Sequence, residues 1–363
     1  MPNPNAVIVP EQVSVQIRLD PVQTMISSMV MMIRSEDLSG LGSWIYETYG
    51  AFTQAERERH YLVTIGLHYA VLPNRYWADV PSYLNFLETC QPETLRDQIL
   101  DAYLSYADCI EEDTGLTATR EQLLEDEAFF LEYLERGFSE AIIDLEVEKQ
   151  AYKLIQNPVE MQELIFTHIN SFWKEYFQAE WERTRPLLED AVQAFDNYDF
   201  SGLSRAEIVQ EVVGRDLKEK QYPLDREDLQ QLVFVPSLHV GPYLGKFEYK
   251  NAFGLVYGAR LPRKSKIQAP DLSRNEITIR LSALADDIRL QILKLVAEEG
   301  EQRSPEIIEK LGLSQSAASR HLTQLSATGY LAERRCSGSK CYQLNPERIH
   351  DTLAAVEHFL LDD

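Results

Sequence analysis

The sequence has no long apolar segment: no stretch approaches the roughly 18 consecutive apolar residues that predict a membrane-spanning helix. Its start, MPNPNAVIVPEQ, lacks the basic beginning and apolar centre of a secretory signal peptide, so we expect a cytoplasmic protein without membrane contact. It also lacks the GxGxxG, P-loop, HExxH and GxSxG motifs. We therefore predict neither an enzyme nor a bound cofactor.

Cysteine is scarce, and the four cysteines follow no spacing typical of a zinc site or a disulfide framework. They are Cys90, Cys109, Cys336 and Cys341. The last two flank a Ser-Gly-Ser turn and could face each other across a hairpin as a thiol–disulfide switch. Cysteines in the cytosol are usually reduced, which is the simpler interpretation. We predict no metal-binding residues.

Basic residues are outnumbered, with 35 Lys and Arg against 58 Asp and Glu and a net charge of −23. Residues 1–275 hold 25 basic and 44 acidic side chains, a surface that disfavours nucleic acid and anionic membranes. The hydrophobic content of 44% is that of a folded globular chain. A length of 363 residues leaves room for more than one domain.

Residues 304–325, SPEIIEKLGLSQSAASRHLTQL, predict two helices joined by a tight turn. We expect Ser304 to cap the first helix, with Pro305 at its first position. Gly312 suits the turn, and Ser314 suits the cap of the second helix. The N-terminal half of that second helix offers short or planar hydrogen-bonding side chains, as a helix entering the DNA major groove requires. They are Gln315, Ser316, Ser319, Arg320 and His321.

The flanking sequence predicts the rest of a winged helix. Apolar residues recur at helical spacing from Leu281 to Val296, which indicates a supporting helix. After Gly329, two short strands around a flexible turn predict a basic β-hairpin, the wing. We expect its residues Arg335, Ser339 and Lys340 to hold the DNA backbone or the minor groove.

With these elements in order, residues 278–345 resemble the ArsR/SmtB-type winged helix-turn-helix repressors, whose recognition segment commonly has the form LSQSxxSRHL. Here that segment is Leu313–Leu322. The resemblance implies a homodimeric transcriptional regulator, with repression as the expected sense, that binds a palindromic operator in double-stranded DNA. In this class the terminal helices commonly build the dimer, and a helix is predicted over 346–361.

The metal-sensing motifs of that family are not reproduced. Where the family has a cysteine-rich motif, this chain has RSPEI at 303–307. His350, Asp351 and His358 lie on a suitable C-terminal helix, but their order and spacing depart from the family pattern. Metal sensing is therefore not predicted.

The charge of residues 276–363 is the main argument against DNA binding, because this region has 10 Lys and Arg but 14 Asp and Glu. We expect the acidic residues, Asp286 and Glu301 among them, to lie away from the DNA-contacting face. The alternative interpretation is a protein-interaction module in which the winged helix serves dimerisation or partner docking. Steep weakening of DNA binding with salt distinguishes the two.

Residues 1–260 predict a large, mainly helical domain with a small β element, so the chain as a whole is mainly α. Helical patterns cover about 44–72, 79–89, 92–110, 119–134, 137–156, 158–178, 180–196 and 201–220. Strands are predicted at 13–18, 232–237 and 254–258, and we expect these to pair. An aromatic set that begins with Phe172 and Trp173 occupies one helical face, as a core or as the wall of a ligand pocket.

This half resembles an uncharacterised domain found ahead of winged helices in some ArsR-type regulators. The likeness rests on Arg185-Pro186-Leu187-Leu188, on the VFVPS segment and on VYGAR at 256–260. It implies a regulatory, sensor or dimerisation domain that could receive a small-molecule effector. We thus predict this domain over 1–260, a basic linker over 261–275 and the winged helix-turn-helix domain over 276–363.

Overall fold

The structure is a computed structural model that describes residues 13–107, 118–138, 144–214, 224–262, 270–336 and 339–361. It contains two compact units. The first, here the helical unit, comprises residues 20–34 and 44–183, and the second, here the mixed unit, comprises residues 1–19, 35–43 and 184–363. Compactness does not test independent folding, so the predicted division at 260 and 275 stays a prediction.

The helices up to residue 193 begin mainly at proline or at capping side chains. They are α1 Pro21–Ile33, α2 Ser43–Ala51, α3 Gln54–Tyr61, α4 His68–Val71, α5 Val80–Thr89, α6 Pro92–Ala107, α7 Arg120–Glu125, α8 Glu127–Gly137, α9 Leu145–Ile155, α10 Pro158–Phe172 and α11 Gln178–Gln193. The start of α1 is confirmed, because Asp20 Oδ1 accepts from the N–H of Gln23 at 3.0 Å ahead of Pro21. No helix within the described residues is long and apolar enough to cross a membrane.

Several predicted helix boundaries are wrong, including that of 119–134, which Asp126 divides into α7 and α8. A single helix was expected over 44–72, but the chain breaks before Thr53, whose hydroxyl accepts from the N–H of Glu56 at 3.3 Å. The Glu56 carboxylate accepts in return from the N–H of Thr53, a reciprocal cap that starts α3. Separate helices were expected on either side of residue 179, but π-helical turns at Trp173–Phe177 join α10 directly to α11.

The aromatic set of α10 is part of the core of the helical unit. Phe172 is 2% exposed and Phe177 is fully buried, with their ring centroids 6.2 Å apart. The Trp44 ring meets both of them edge-on. These rings therefore fill space between helices, which favours the core interpretation over a ligand pocket.

The mixed unit contains α12 Arg205–Val213 and a four-stranded sheet of β1 Ser14–Ile17, β2 Gln231–Ser237, β3 Gly245–Tyr249 and β4 Ala252–Gly258. The sheet order is β1-β2-β4-β3, with β1 and β4 parallel to β2 and with β3 antiparallel to β4. The predicted pairing of the three strands is thus confirmed, while β3 was not predicted. At Gly254 a Cβ would lie 2.1 Å from the Phe247 ring, so only glycine allows these strands to pack.

Helix α12 covers one face of this sheet. Its buried residues Ile208, Val209 and Val212 pack with Phe195 and with the sheet residue Phe234. Ser204 caps the helix, as predicted, and Gly214 ends it in the left-handed conformation at φ 77°, earlier than the predicted end at 220. Residues 215–223 lie outside the described residues.

A winged helix forms the C-terminal part of the mixed unit, so the predicted fold class is confirmed. Its helices are α13 Pro270–Leu284, α14 Asp287–Glu299, α15 Ser304–Leu311, α16 Gln315–Ala327 and α17 Pro346–Leu361, and its strands are β5 Gln302–Arg303, β6 Leu331–Cys336 and β7 Ser339–Leu344. The strands form an antiparallel sheet in the order β5-β7-β6. The core comprises residues from α14, α15, α16 and the hairpin, including Ile292, Ile307, Leu322 and Tyr342.

The supporting segment differs from its prediction. The periodic pattern from 281 to 296 belongs to two helices, because Asp286 Oδ1 accepts from the N–H of Arg289 at 2.9 Å and starts α14. The preceding helix α13 begins at Pro270, inside the segment predicted as a linker. Residues 263–269 of that segment lie outside the described residues.

Candidate nucleic-acid interface

The turn between α15 and α16 has the predicted construction. Gly312 ends α15 in the left-handed conformation at φ 63°, which a residue with a Cβ adopts only with strain. The Ser314 hydroxyl then accepts from the N–H of Ala317 at 3.2 Å and caps α16. The predicted cap of α15 is wrong. Ser304 is the first residue of the helix, and the cap is at Arg303, whose N–H donates to the Glu306 carboxylate at 2.8 Å.

Helix α16 presents one polar face to solvent. Gln315, Ser316, Ser319 and Arg320 are all exposed, whereas Ala318, Leu322 and Leu325 on the opposite side are buried in the core. Residues three and four positions apart share a helix face, so the four polar side chains lie together. Arg320 forms no ion pair with any residue that the structure describes, which leaves its guanidinium available to an external acceptor.

His321 lies apart from that face. Its side chain is 17% exposed, and its Nδ1 is 3.7 Å from Asp286 Oδ1 at the start of α14. Burial lowers the pKa of His321, although the Asp286 carboxylate raises it. This neighbour suits a structural role in packing α16 on α14, and the predicted DNA contact of His321 stays a prediction.

The wing carries positive side chains that are paired with acids. Lys340 is exposed, and its Nζ lies 3.0 Å from Glu333 on the facing strand. Arg334 Nε donates to Glu301 Oε1 at 2.5 Å. Ser339 begins the second wing strand, and the side chain of Arg335 lies outside the described part of the chain.

The expectation that the acidic residues lie away from the contact face is wrong for Glu301 on the wing, whereas Asp286 lies beside His321, apart from the exposed face of α16. Asp286 contacts His321 on α16, and Glu301 pairs with Arg334 on the wing. Glu301 and Glu333 neutralise part of the positive charge of the wing. The sequence could not indicate this, because the two acids come from separate segments that only the fold brings together.

The cysteines of the wing face each other, as expected. Cys336 and Cys341 form a disulfide, with Cα atoms 6.0 Å apart. Glu301 also places a carboxylate oxygen close by, so that one ligand atom from each of the three residues lies within 4.8 Å of the others. Thiolates, not a disulfide, bind metal ions. The expectation of no metal-binding residues stays a prediction.

Helix α16 is also held on its inner side, a contact that the sequence did not predict. Gln324 is 1% exposed, and its side-chain oxygen accepts from the Ser39 hydroxyl. Ser39 in turn accepts through its carbonyl from the Tyr243 hydroxyl at 2.8 Å. Residues far upstream in the chain therefore fix the C-terminal half of α16.

The terminal helix α17 exposes apolar side chains. Leu353 is 56% exposed, Leu360 67% and Leu361 74%. Its other side contributes Thr352, which is buried and accepts from the Tyr330 hydroxyl at 2.9 Å. One face of α17 is thus packed, and the other offers apolar surface to solvent.

Comparison with known proteins agrees with the resemblance stated above for residues 278–345. Residues 286–333 match the family described as bacterial regulatory protein, arsR family. The chain is 44% identical over 69 residues to arsenic resistance transcriptional regulator ArsR1 of Pseudomonas putida, covering 19% of this chain and 54% of that protein. It is 36% identical over 88 residues to ArsR2 of the same organism, covering 22% of this chain and 76% of that protein.

A third relative is described as a probable mercury resistance operon repressor of Streptomyces lividans. It is 38% identical over 81 residues, covering 22% of this chain and 64% of that protein. The chain therefore spans about half of the length of ArsR1 and just under two thirds of the length of the Streptomyces protein. All three matches involve less than a quarter of this chain.

Proposed function

The chain belongs to the arsR family of bacterial regulatory proteins, and from this membership we propose that it is a sequence-specific DNA-binding transcriptional regulator that acts as a repressor. The observation that carries the proposal is the exposed polar face of α16, formed by Gln315, Ser316, Ser319 and Arg320. Small residues at its N-terminal end allow close approach to base edges, and an arginine can bond a guanine through two donors. In this proposal α16 enters the major groove.

We also propose that the wing holds the DNA backbone, through Ser339, Lys340 and Arg335. Lys340 is exposed, but its partner Glu333 must be displaced or must share the ammonium group with a phosphate. The overall charge of −23 adds long-range repulsion. Binding of one winged helix is thus expected to be weak and salt-sensitive, which favours two half-sites read by a dimer.

A homodimer on a palindromic operator follows from the same argument. The exposed apolar side chains of α17, Leu353 and Leu360 among them, supply a surface that a second copy could cover. Residues 1–260 are proposed as the regulatory, sensor or dimerisation domain, with 261–275 as the connection to the DNA-binding part. The name of the Streptomyces relative, an operon repressor, supports repression as the sense of regulation.

The competing function is a protein-interaction module, and one observation favours it. Glu301 and Glu333 each pair with a basic side chain of the wing. Such pairing lowers the positive potential that DNA binding uses. In that case the winged helix docks a partner or dimerises.

A selection from genomic fragments at two salt concentrations separates these functions. A regulator enriches a short inverted repeat, and the enrichment fades as salt rises, because phosphate contacts release counterions. A docking module enriches no sequence at either salt concentration.

Two variants then test the division of roles. Arg320→Ala is expected to weaken binding to the selected site by about 1–3 kcal/mol with little effect on random DNA, whereas Lys340→Ala weakens both alike. Lys153→Ala removes an equal charge from an exposed position on α9 and serves as the control. Equal losses on specific and random DNA for both variants would refute base recognition by Arg320.

A further inference from the structure

A small cavity within the mixed unit, here the arginine cavity, has no role in the DNA contacts described above. Its volume is about 50 Å³. A single water requires about 10–15 Å³, so the cavity has room for a molecule of a few non-hydrogen atoms. Its walls come from the end of β4, from α13, from the end of α16 and from α17, and its polar lining comprises Arg260, Glu276, Arg280, Thr328 and Arg348.

Positive charge dominates this lining. Arg260 and Arg280 are each 8% exposed, and Arg348 is partly buried. Glu276 is the one carboxylate in the lining among the residues that the structure describes: its Oε1 lies 3.4 Å from Arg260 Nε and also pairs with Arg280. Among the described residues, three guanidinium groups therefore lie near one carboxylate, which leaves two positive charges in excess in a partly buried region.

The closeness of these charged groups shifts the pKa values of Arg348 and Glu276. Burial first, and then the charge of Arg280, lower the pKa of Arg348 to about 10, so the group is still protonated at neutral pH. Burial raises the pKa of Glu276, but the charges of Arg260, Arg280 and Arg348 outweigh it and the pKa is lowered. Like charges held this closely are costly without a further anion.

Two buried donors of these arginines lack a hydrogen bond among the described residues, although one of them, Arg260 Nε, lies 3.4 Å from Glu276 Oε1. The Nε atoms of Arg260 and Arg280 are buried and form no hydrogen bond with any group that the structure describes. Buried polar groups are normally hydrogen-bonded, and an unsatisfied charged donor costs more than a neutral one. These N–H groups belong to guanidinium groups, which bond oxyanions through two parallel donors.

The guanidinium groups are also fixed in place by the backbone. Arg260 donates to the carbonyl of Glu211 at 3.1 Å, and Arg348 donates to the carbonyls of Thr328 at 2.8 Å and Gly214 at 3.3 Å. At Gly214 a Cβ would lie 2.3 Å from a terminal nitrogen of Arg260, so glycine at this position leaves room for the guanidinium. Such preorganisation lowers the entropic cost of binding.

We propose that the arginine cavity is a binding site for a small dianionic oxyanion, either a phosphate group or a short dicarboxylate. The excess of two positive charges matches a dianion, the unsatisfied Nε donors match its oxygens, and the volume excludes a larger cofactor. Arg260 lies two residues beyond the end of β4, Arg280 lies on α13 and Arg348 lies on α17, so a bound anion also ties these parts of the mixed unit together.

Calorimetric titration of the whole chain tests the site without DNA. Inorganic phosphate and malonate are titrated separately, at an ionic strength held constant with sodium chloride. We expect saturable binding of at least one anion to the wild-type protein and to Lys294→Gln, an exposed charge-loss control on α14. Arg280→Gln and Arg348→Gln are expected to bind about tenfold more weakly or worse, because each loses a charged donor pair.

The outcomes are distinct. The absence of saturable binding of either anion to the wild type overturns the proposal, as does equal affinity in all four proteins. If circular dichroism shows that Arg280→Gln is unfolded, the affinity of Arg348→Gln is the deciding test. Arg348 is the least buried of the three arginines, and its loss leaves both ion pairs of Glu276 intact.

A consequence for regulation rests on the proposed function. Thr328, whose carbonyl accepts from Arg348, is the C-cap of α16, so an anion that reorients Arg348 acts at the end of the recognition helix. Phosphate is then expected to change the affinity for the selected DNA in the wild type but not in Arg348→Gln. Anion binding without any change in DNA affinity retains the site and refutes the coupling.

Discussion

The buried carboxyl group of Glu148 in the helical unit gives a quantitative test of the structure. Glu148 lies on α9, is 3% exposed, and accepts from the Tyr103 hydroxyl at 2.9 Å. Burial raises its pKa to about 7, although the Tyr103 hydrogen bond lowers it. The substitution Glu148→Gln keeps the shape and the acceptor for Tyr103 but cannot ionise.

The sign of the effect follows from proton linkage. The unfolded chain releases this proton near the ordinary pKa of 4.5, whereas the folded chain holds it until about pH 7. The stabilisation is therefore complete below pH 4.5 and is lost as the pH rises to 7. From pH 5.5 to pH 7 the pH rises by about 1.5 units. Each unit lowers the free energy of unfolding by about 1.4 kcal/mol, so the loss is about 2 kcal/mol.

Urea unfolding of wild type and Glu148→Gln at pH 5.5 and pH 8 measures this difference. We expect the variant to gain about 2 kcal/mol over the wild type between the two pH values. Two buried histidines, His60 and His168, have pKa values lowered by burial to about 4 and about 3, and they act in the opposite direction. They are present in both proteins and cancel in the comparison.

Glu146→Gln is the matched control, because Glu146 lies on the same helix with its side chain 79% exposed. Its unfolding free energy is expected to follow that of the wild type at both pH values. An identical pH dependence of wild type and Glu148→Gln would show that Glu148 is ionised throughout this range. The argument from its burial would then be refuted.

Two further predictions concern the C-terminal part of the chain. Leu360→Glu is expected to halve the molar mass measured by light scattering, because a charge on the exposed apolar face of α17 opposes its burial against a second copy. Val159→Glu, which changes an exposed apolar residue of α10, is the control, and an unchanged mass for Leu360→Glu would exclude this face of α17. In air-oxidised protein, Cys336 and Cys341 are expected to resist alkylation until a reductant is added, since the hairpin brings them together. Mass spectrometry that shows both cysteines alkylated without a reductant would contradict that pairing.

Local features of the winged helix were predictable because they depend on neighbours in sequence. The left-handed turn at Gly312 needs a residue without a Cβ, and the cap of α16 needs a short hydroxyl at Ser314. The alternation of polar and apolar residues in α16 then determines which face is exposed, wherever the helix is placed. The same reasoning correctly located the strands that begin at residues 14, 231 and 252.

The sequence by itself thus determined most of the helices and strands, the exposed polar face of α16 and the family likeness, because caps, periodicity and turn residues act over a few positions. Tertiary structure alone decided which distant groups meet: Asp286 with His321, Glu301 with Arg334, and the arginines at 260, 280 and 348 around one carboxylate. Charge and hydrogen bonding act through space, and no local pattern records the pairing of residues tens of positions apart. The DNA-facing charge and the arginine cavity are therefore properties of the fold.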